Sequence, residues 1–212
     1  MFQAGGGGRS RVRVLHASPD APAVDIYVDG SKAVSNLSYG QVSQYGELSS
    51  GRHNFKVFQA GAGPQGKAVI DADVDLSGGK DYTVAAIGTV QNIQPKVLDD
   101  TTQAPGRNRA KVRVLHASPD APAVDVAVPG GPTLFKNLSF GSATPFEEVD
   151  AGTVNLDIRP SGTTQSVTSV SNFSLDSGNL YTFVAMGMLK GTPSFKVMPI
   201  VDSGRMRTGM GM

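Results

Sequence analysis

The stretch VRVLHASPDAPAVD, residues 12–25, decides the fold, and the same fourteen letters return at residues 112–125. Its first valines alternate with arginines, which is typical of a β-strand with a basic outer face. Pro19 and Pro22 remove two backbone donors and hold the residues before them extended, so they interrupt any ladder. Alternation then resumes over residues 23–28. The stretch therefore predicts a strand, a proline-fixed corner and a second strand.

The repeat extends well beyond this stretch. NLSYG at residues 36–40 matches NLSFG at residues 137–141, and Tyr82 matches Tyr181. A period of about 100 residues indicates duplication of whole domains, because solenoid repeats are only about 20–50 residues long. We expect a flexible or assembly-mediating N-terminal extension over residues 1–10, domains over 11–100 and 110–203, a linker over 101–109 and a Gly- and Met-rich tail over 204–212.

Composition and periodicity indicate an all-β fold. The 212 residues include 26 Gly and 13 Pro, which terminate strands and break helices. Apolar residues alternate with Asp71, Asp73 and Asp75, and no window carries an apolar stripe of helical period. Seven or eight short strands per domain are typical of an antiparallel, immunoglobulin-like β-sandwich. We therefore predict two such sandwiches in tandem.

Charge and composition exclude several classes of protein. The formal net charge of +1 provides no global field to attract nucleic acid, so no nucleic-acid partner is expected. Without cysteine the chain has neither disulfides nor thiolate metal sites. No run approaches the roughly 18 apolar residues of a membrane span. Residues 1–10 lack the basic and apolar regions of a signal peptide.

The histidines, serines and aspartates of the repeated stretch raise the question of catalysis. In an ideal strand His16 and Ser18 lie on one face about 6.6 Å apart, too far for a hydrogen bond, and no Gly-x-Ser-x-Gly elbow surrounds the serine. We predict a structural corner in which a semi-buried His16 bonds Asp25 or a backbone group. The predicted corner residues are His16, Ser18, Pro19, Asp20, Pro22 and Asp25, with His116, Ser118, Pro119, Asp120, Pro122 and Asp125. A hydrolase using His16 or His116, and a ligand or metal site built from the His and Asp side chains, are the alternatives.

Neither a metal nor a cofactor is expected. The chain has three histidines, with no cluster at ligand spacing. The run of Asp71, Asp73 and Asp75 lacks the glycine and glutamate of an EF-hand loop. The second copy has Ser169, Ser171 and Phe173 in that region, so it does not repeat the carboxylates. The basic stripe formed by Arg9, Arg11 and Arg13 is predicted to be a solvated or edge-strand face, since no aromatic residues are interleaved with it. Asn36, Asn137 and Asn172 begin glycosylation sequons, which a turn explains equally well.

One family resemblance follows from these motifs. RVLHASPDAPAVDIYVDG at residues 13–30, with NLSYG and with YTVAAIG at residues 82–88, resembles the DUF4397 family of bacterial and archaeal proteins. The resemblance covers nearly the whole chain as two tandem copies. It implies β-sandwich domains of exported or cell-surface proteins, and it supplies no catalytic residues.

These observations favour a non-enzymatic structural protein of the cell surface or extracellular space. In this hypothesis copies self-associate into a filament or appendage through their terminal extensions and strand edges. The alternative is a module that binds carbohydrate or a cell-envelope polymer, for which Tyr27, Tyr39 and Tyr45 are candidate aromatic platforms.

Overall fold

The computed structural model describes residues 8–202 and the backbone of residues 206–207. The chain divides between Thr101 and Thr102 into two compact units. Each unit contains two four-stranded sheets, and no α-helix occurs in the described residues. The predicted pair of tandem β-sandwiches is therefore confirmed.

Eight strands build the first unit. One sheet has the order β4-β1-β7-β8 and the other the order β3-β2-β5-β6. A short 3-10 helix, Val90–Asn92, follows β7. The strands are β1 (Arg9–His16), β2 (Val24–Val28), β3 (Ser31–Leu37), β4 (Gly46–Ser49), β5 (Gly51–Gln59), β6 (Ile70–Leu76), β7 (Asp81–Ile87) and β8 (Gln94–Asp99).

The second unit repeats this topology in the sheets β13-β10-β16-β17 and β12-β11-β14-β15. Its strands are β10 (Arg109–His116), β11 (Val124–Ala127), β12 (Thr133–Leu138), β13 (Glu147–Asp150), β14 (Gly152–Pro160), β15 (Thr168–Leu175), β16 (Leu180–Met186) and β17 (Lys196–Asp202). Two further strands, β9 (Thr102–Gln103) and β18 (Met206–Arg207), pair in parallel.

One pairing departs from the antiparallel pattern in each unit. β1 runs parallel to β7, from Arg11 opposite Asp81 to His16 opposite Ala86, and β10 runs parallel to β16 in the same way. Consecutive strands cannot pair in parallel without a long crossover. The partner of β1 is therefore a strand far along the chain, and β2 lies in the opposite sheet.

Inward-facing side chains of the two sheets form one core in each unit. Val12 and Val14 of β1 face Ile26 of β2 across the first sandwich, and the equivalent positions of β10 and β11 do so in the second. Such alternation is the packing pattern of aligned β-sandwiches. None of the described residues forms a helix with the length and hydropathy that crossing a membrane requires.

The predicted terminal segments lie mostly outside the described residues. Of the extension over residues 1–10, the structure describes Gly8, Arg9 and Ser10, and the last two pair with Ser49 and Leu48 of β4. Of the tail over residues 204–212, only the backbone of β18 is described. Within the predicted linker, Thr102 and Gln103 form β9.

Candidate functional site: the duplicated corner

The repeated stretch carries the chain from one sheet to the other. Its first part is β1, its second part is β2, and these strands belong to different sheets of the same sandwich. The proline segment between them therefore bridges the two layers. Pro19 is buried and Pro119 half-buried, whereas Pro22 and Pro122 are exposed. The corner is thus a structural junction of the sandwich in both units.

His16 is fully buried at 0% exposure, not semi-buried as predicted, because it ends a strand that lies inside its sheet. Its Nε2 lies 2.9 Å from the carbonyl oxygen of Pro22. Because a carbonyl only accepts, this nitrogen carries the hydrogen and donates. Burial lowers the pKa of His16, since the charged imidazolium would lose its hydration. Asp25, the other partner considered, makes no hydrogen bond to this ring.

The second copy repeats this arrangement. His116 is fully buried, and its Nε2 donates to the carbonyl oxygen of Pro122 over 3.0 Å. The backbone N–H of Ser118 donates to Nδ1 over 3.3 Å, which requires the same neutral tautomer. Burial lowers the pKa of His116 as well. Tyr39 meets the His16 ring edge-on, and Phe140 meets the His116 ring in the same way.

The aspartates that follow the first proline hold a distant loop. The Val90 N–H donates to Asp20 Oδ1 over 2.8 Å. In the second unit the N–H groups of Leu189 and Lys190 donate to the two oxygens of Asp120 over 2.7 and 2.9 Å. Desolvation is the largest single cause and raises the pKa of Asp120, but the hydrogen bonds from Leu189, Lys190 and Ser118 and from its own backbone together lower it. Each carboxylate therefore ties the corner to the segment that follows β7 in the first unit and β16 in the second.

Asp25 connects the corner to the edge strand β3 and to the turn after β5. It accepts from Lys32 Nζ and the Asn36 N–H over 2.8 Å each, and from the Gly61 N–H over 3.3 Å. The Lys32 ammonium and then the Asn36 N–H lower the pKa of this carboxyl. Asn36 has a φ of 53° and marks an irregularity in the pairing of β2 with β3. The carboxylate therefore fixes a strained position of the edge strand.

Asp125 makes the corresponding bonds without an ion pair among those described. It accepts from the Asn137 N–H over 2.7 Å, Ser161 Oγ over 2.8 Å and the Gly162 N–H over 3.2 Å. The Asn137 N–H is the main cause that lowers the pKa of Asp125. Asn137 also has a φ of 53°. The first residue of each Asn-Leu-Ser sequence thus occupies a left-handed position that asparagine tolerates.

Ser18 and Ser118 make different contacts, and neither hydroxyl is activated as a nucleophile. Ser18 Oγ is buried and has no hydrogen-bond partner in the described part of the chain. Ser118 Oγ donates to the Gly187 carbonyl over 2.7 Å and also lies 3.3 Å from Asp120 Oδ1. A serine nucleophile needs its hydroxyl hydrogen-bonded to an imidazole that can accept the proton. Neither histidine receives such a bond across residues 8–202.

A buried polar network lies beside the corner, where the sequence had predicted a solvated basic face. That prediction is wrong for Arg13, which is 4% exposed. Arg13 Nε donates to Thr83 Oγ1 over 2.8 Å, and Thr83 Oγ1 donates to Asp100 Oδ2 over 2.6 Å. Arg113, Thr182 and Asp202 repeat the chain of bonds in the second unit. The signal was the recurrence of all three residue types in both copies.

The tyrosines considered as carbohydrate platforms are engaged within the first unit. Tyr27 is buried against Phe58, and burial raises the pKa of Tyr39 to about 12. Tyr45 lies beneath the Arg13 guanidinium, 4.8 Å from its ring centroid, and its hydroxyl donates to Asp100 over 2.6 Å. Of the three, Tyr27 is buried, whereas Tyr39 and Tyr45 are half-buried. Across the described residues, no three His, Asp or Glu side chains are placed to hold a metal ion.

Comparison with known proteins identifies the family. The family described as Domain of unknown function (DUF4397) matches residues 10–127 and again residues 110–209. The chain belongs to the DUF4397 family. The tandem resemblance that the sequence motifs carried is therefore confirmed. No curated protein matches the chain.

Solved structures similar to this DUF4397 protein share little sequence with it. They include the Bacillus anthracis TIE protein, with 8% identity and a TM-score of 0.27 over 86% of this chain and 34% of that one. A family 26 carbohydrate-binding module of Eubacterium rectale Amy13K, solved with maltoheptaose, has 10% identity and a TM-score of 0.27 over 92% and 98%. A candidate cell adhesion protein of Parabacteroides distasonis has 9% identity and a TM-score of 0.25 over 92% and 99%. The second and third are described as a carbohydrate-binding module and a candidate cell adhesion protein, but the similarity of all three is too low to carry a functional argument.

Proposed function

We propose that this DUF4397 protein is a non-enzymatic structural protein of the cell surface or extracellular space that assembles by strand addition. In this proposal a terminal segment of one copy pairs with the edge strand β15 of another. The contact is heterologous and need not close, so it propagates into a filament. The observation that carries the proposal is the difference between the edge strands β6 and β15.

The first unit has a charged edge. β6 exposes Asp71, Asp73 and Asp75, and the first two form ion pairs with Lys56 and Arg52 of β5. Charged side chains on an edge strand oppose pairing with another chain, because the incoming strand would have to desolvate them. The edge at β6 is therefore protected.

The equivalent edge of the second unit carries no charge. Pairing with β14 places Ser169 and Ser174 of β15 where β6 has Asp71 and Asp75. Ser171 lies between them in the strand, and all three serines are exposed. The whole strand, TSVSNFSL, lacks Asp, Glu, Lys, Arg and Pro. Among the described residues β15 pairs with β14 alone. Such an edge is a suitable template for an added strand.

Residues 1–8, MFQAGGGG, have a composition that fits the donor role in this proposal. They contain no charged side chain, and Phe2 supplies an aromatic group of the type enriched in strands. In this proposal the glycines that follow separate such a strand from β1 in the sequence. An uncharged segment on an uncharged edge also avoids desolvating an unpaired ion.

The test combines a deletion with an exchange of edge chemistry. A chain lacking residues 1–8 and the variant Ser169→Asp/Ser171→Asp/Ser174→Asp are both expected to remain monomeric under conditions in which the full chain polymerises. Light scattering and negative-stain imaging provide the readout. The matched control, with the same three serines changed to threonine, keeps the edge uncharged and is expected to polymerise. A full chain that stays monomeric, or a triple-Asp variant that polymerises normally, contradicts the proposal.

A further inference from the structure

The second unit contains an apolar cavity of about 540 Å³ that opens between its two sheets. Core side chains line its floor, among them Val114, Leu156 and Phe183, and Leu134, 42% exposed, lies among its lining residues. Ligand pockets have volumes of about 300–1,000 Å³ and mostly apolar walls. In the first unit the equivalent inner-facing residues line a space of about 160 Å³. The equivalents of Asn155 and Asp157, which are Asn54 and Lys56, line a separate cavity of about 550 Å³ on the outer face of β5.

The difference between the units arises first from a side chain that closes the first sandwich. His53 of β5 lies 2.6 Å from Asp29 Oδ2 through Nδ1 and 2.9 Å from the Ser49 carbonyl through Nε2. The imidazole thereby joins the turn after β2 to β4, which belongs to the opposite sheet. It occupies the end of the sandwich between the two layers.

The second unit has lost both this bridge and one large core residue. The strand pairing places Val154 where the first unit has His53, and Leu156 where it has Phe55. Pro129, which follows β11, replaces the aspartate that the imidazole contacts. Because none of these side chains bonds across the layers, the space remains open.

The polar groups around the cavity favour an uncharged occupant. Asp150 and Asp157 both contribute to its lining. Asp150 is ion-paired with Arg109, and Asp157 with Arg159 over 2.9 Å. An anionic ligand would approach two carboxylates, and a cationic ligand would have to displace an arginine that already neutralises each of them. We propose that this cavity binds a small, neutral, apolar molecule. The inference does not require the proposed assembly, although Ser169 and Ser171 of β15 also line the cavity.

The test uses N-phenyl-1-naphthylamine, a neutral apolar dye whose fluorescence rises in an apolar site. Titration into the full chain is expected to saturate at one dye per chain. The variant Pro129→Asp/Val154→His/Leu156→Phe rebuilds the closure of the first unit and is expected to bind at least about tenfold more weakly. Val167→Phe, an exposed position outside the cavity, adds an aromatic ring elsewhere and is expected to bind like the unmodified chain.

A second variant keeps the test decisive if the triple variant does not fold. Leu134→Asp changes an exposed side chain of the cavity lining and is expected to weaken dye binding while circular dichroism stays native. Non-saturating fluorescence, or equal affinity of the full chain and both cavity variants, overturns the proposal. Displacement of the dye by a peptide of residues 1–8 also overturns it, because the occupant would then be a segment of another copy.

Discussion

Replacing the buried histidines of the corner with leucine tests whether they are structural. The double variant His16→Leu/His116→Leu keeps an apolar side chain of similar size at two fully buried positions. It removes the donors to the carbonyl oxygens of Pro22 and Pro122. The loss of a hydrogen bond whose acceptor water can reach costs about 0.5–1.5 kcal/mol, and a swap of similar volume costs up to about 1.5 kcal/mol. At pH 7.5 we therefore expect each unit to lose roughly 0.5–3 kcal/mol of unfolding free energy.

Acidification is expected to reduce the difference in unfolding free energy between the unmodified chain and the double variant. Burial lowers the pKa of both His16 and His116, so the unfolded chain, with histidine pKa values near 6.5, binds protons more readily than the folded chain. The stabilisation from the neutral rings is fully present above about pH 6.5 and is lost as pH falls towards the folded pKa. The loss amounts to at most about 1.4 kcal/mol per pH unit for each histidine. The leucine variant lacks this loss.

The assay is urea unfolding at pH 7.5, 6.5 and 5.5, followed by circular dichroism, with hydrogen exchange to separate the two units. His53→Leu serves as the control of opposite sign. The Asp29 carboxylate raises the pKa of His53, so its contribution is present below about pH 6.5 and disappears as pH rises. The gap between the unmodified chain and His53→Leu should therefore widen on acidification. If the difference in unfolding free energy between the unmodified chain and the double variant stays constant from pH 7.5 to 5.5, the assignment of buried neutral rings is refuted. A double variant that keeps native stability but loses a hydrolytic activity would favour the hydrolase hypothesis.

Three further substitutions test the surroundings of the corner by the same unfolding assay. Asp125→Ala removes the acceptor of three donors and is expected to cost about 1–3 kcal/mol, whereas the exposed Asp71→Ala is expected to cost less; equal losses would contradict the anchoring role. Gly187→Ala places a Cβ within 3 Å of the Ser194 backbone and should cost more than about 2 kcal/mol, whereas Gly162→Ala has open space and should cost about 1 kcal/mol. Asn137→Ala, at a φ of 53°, should cost about 1 kcal/mol, and Asn137→Gly should be nearly neutral; the opposite order would refute the left-handed assignment.

Local patterns in the sequence were sufficient for the fold class. Alternation around Asp71 predicted a strand that the structure has as β6, and the prolines of the repeat predicted the break between β1 and β2. Long-range pairing was not accessible in this way. The parallel alignment of Arg11 with Asp81 joins residues 70 positions apart, and nothing near either residue specifies that register.

Side-chain partners were predicted less well than strands. Arg13 alternates with valine in the sequence, so a solvated face was the natural expectation, yet Thr83 and Asp100 bury it. The cavity of the second unit was also missed, because it depends on the space that Val154 and Leu156 leave where the first unit has His53 and Phe55. Such features depend on three-dimensional neighbours, and the period of a strand carries no information about them.

The geometry of the corner accounts for the contrast between the identical stretch and its divergent surroundings. Asp20 and Asp25, with their counterparts in the second unit, bind loops mainly through backbone N–H groups. A backbone donor is present whatever side chain its residue carries, except in proline. The loops can therefore change sequence, as Val90 has become Leu189, while the acceptors cannot. Substitutions at the loop residues should accordingly be mild and those at the corner aspartates severe, although both partners share the same hydrogen bond.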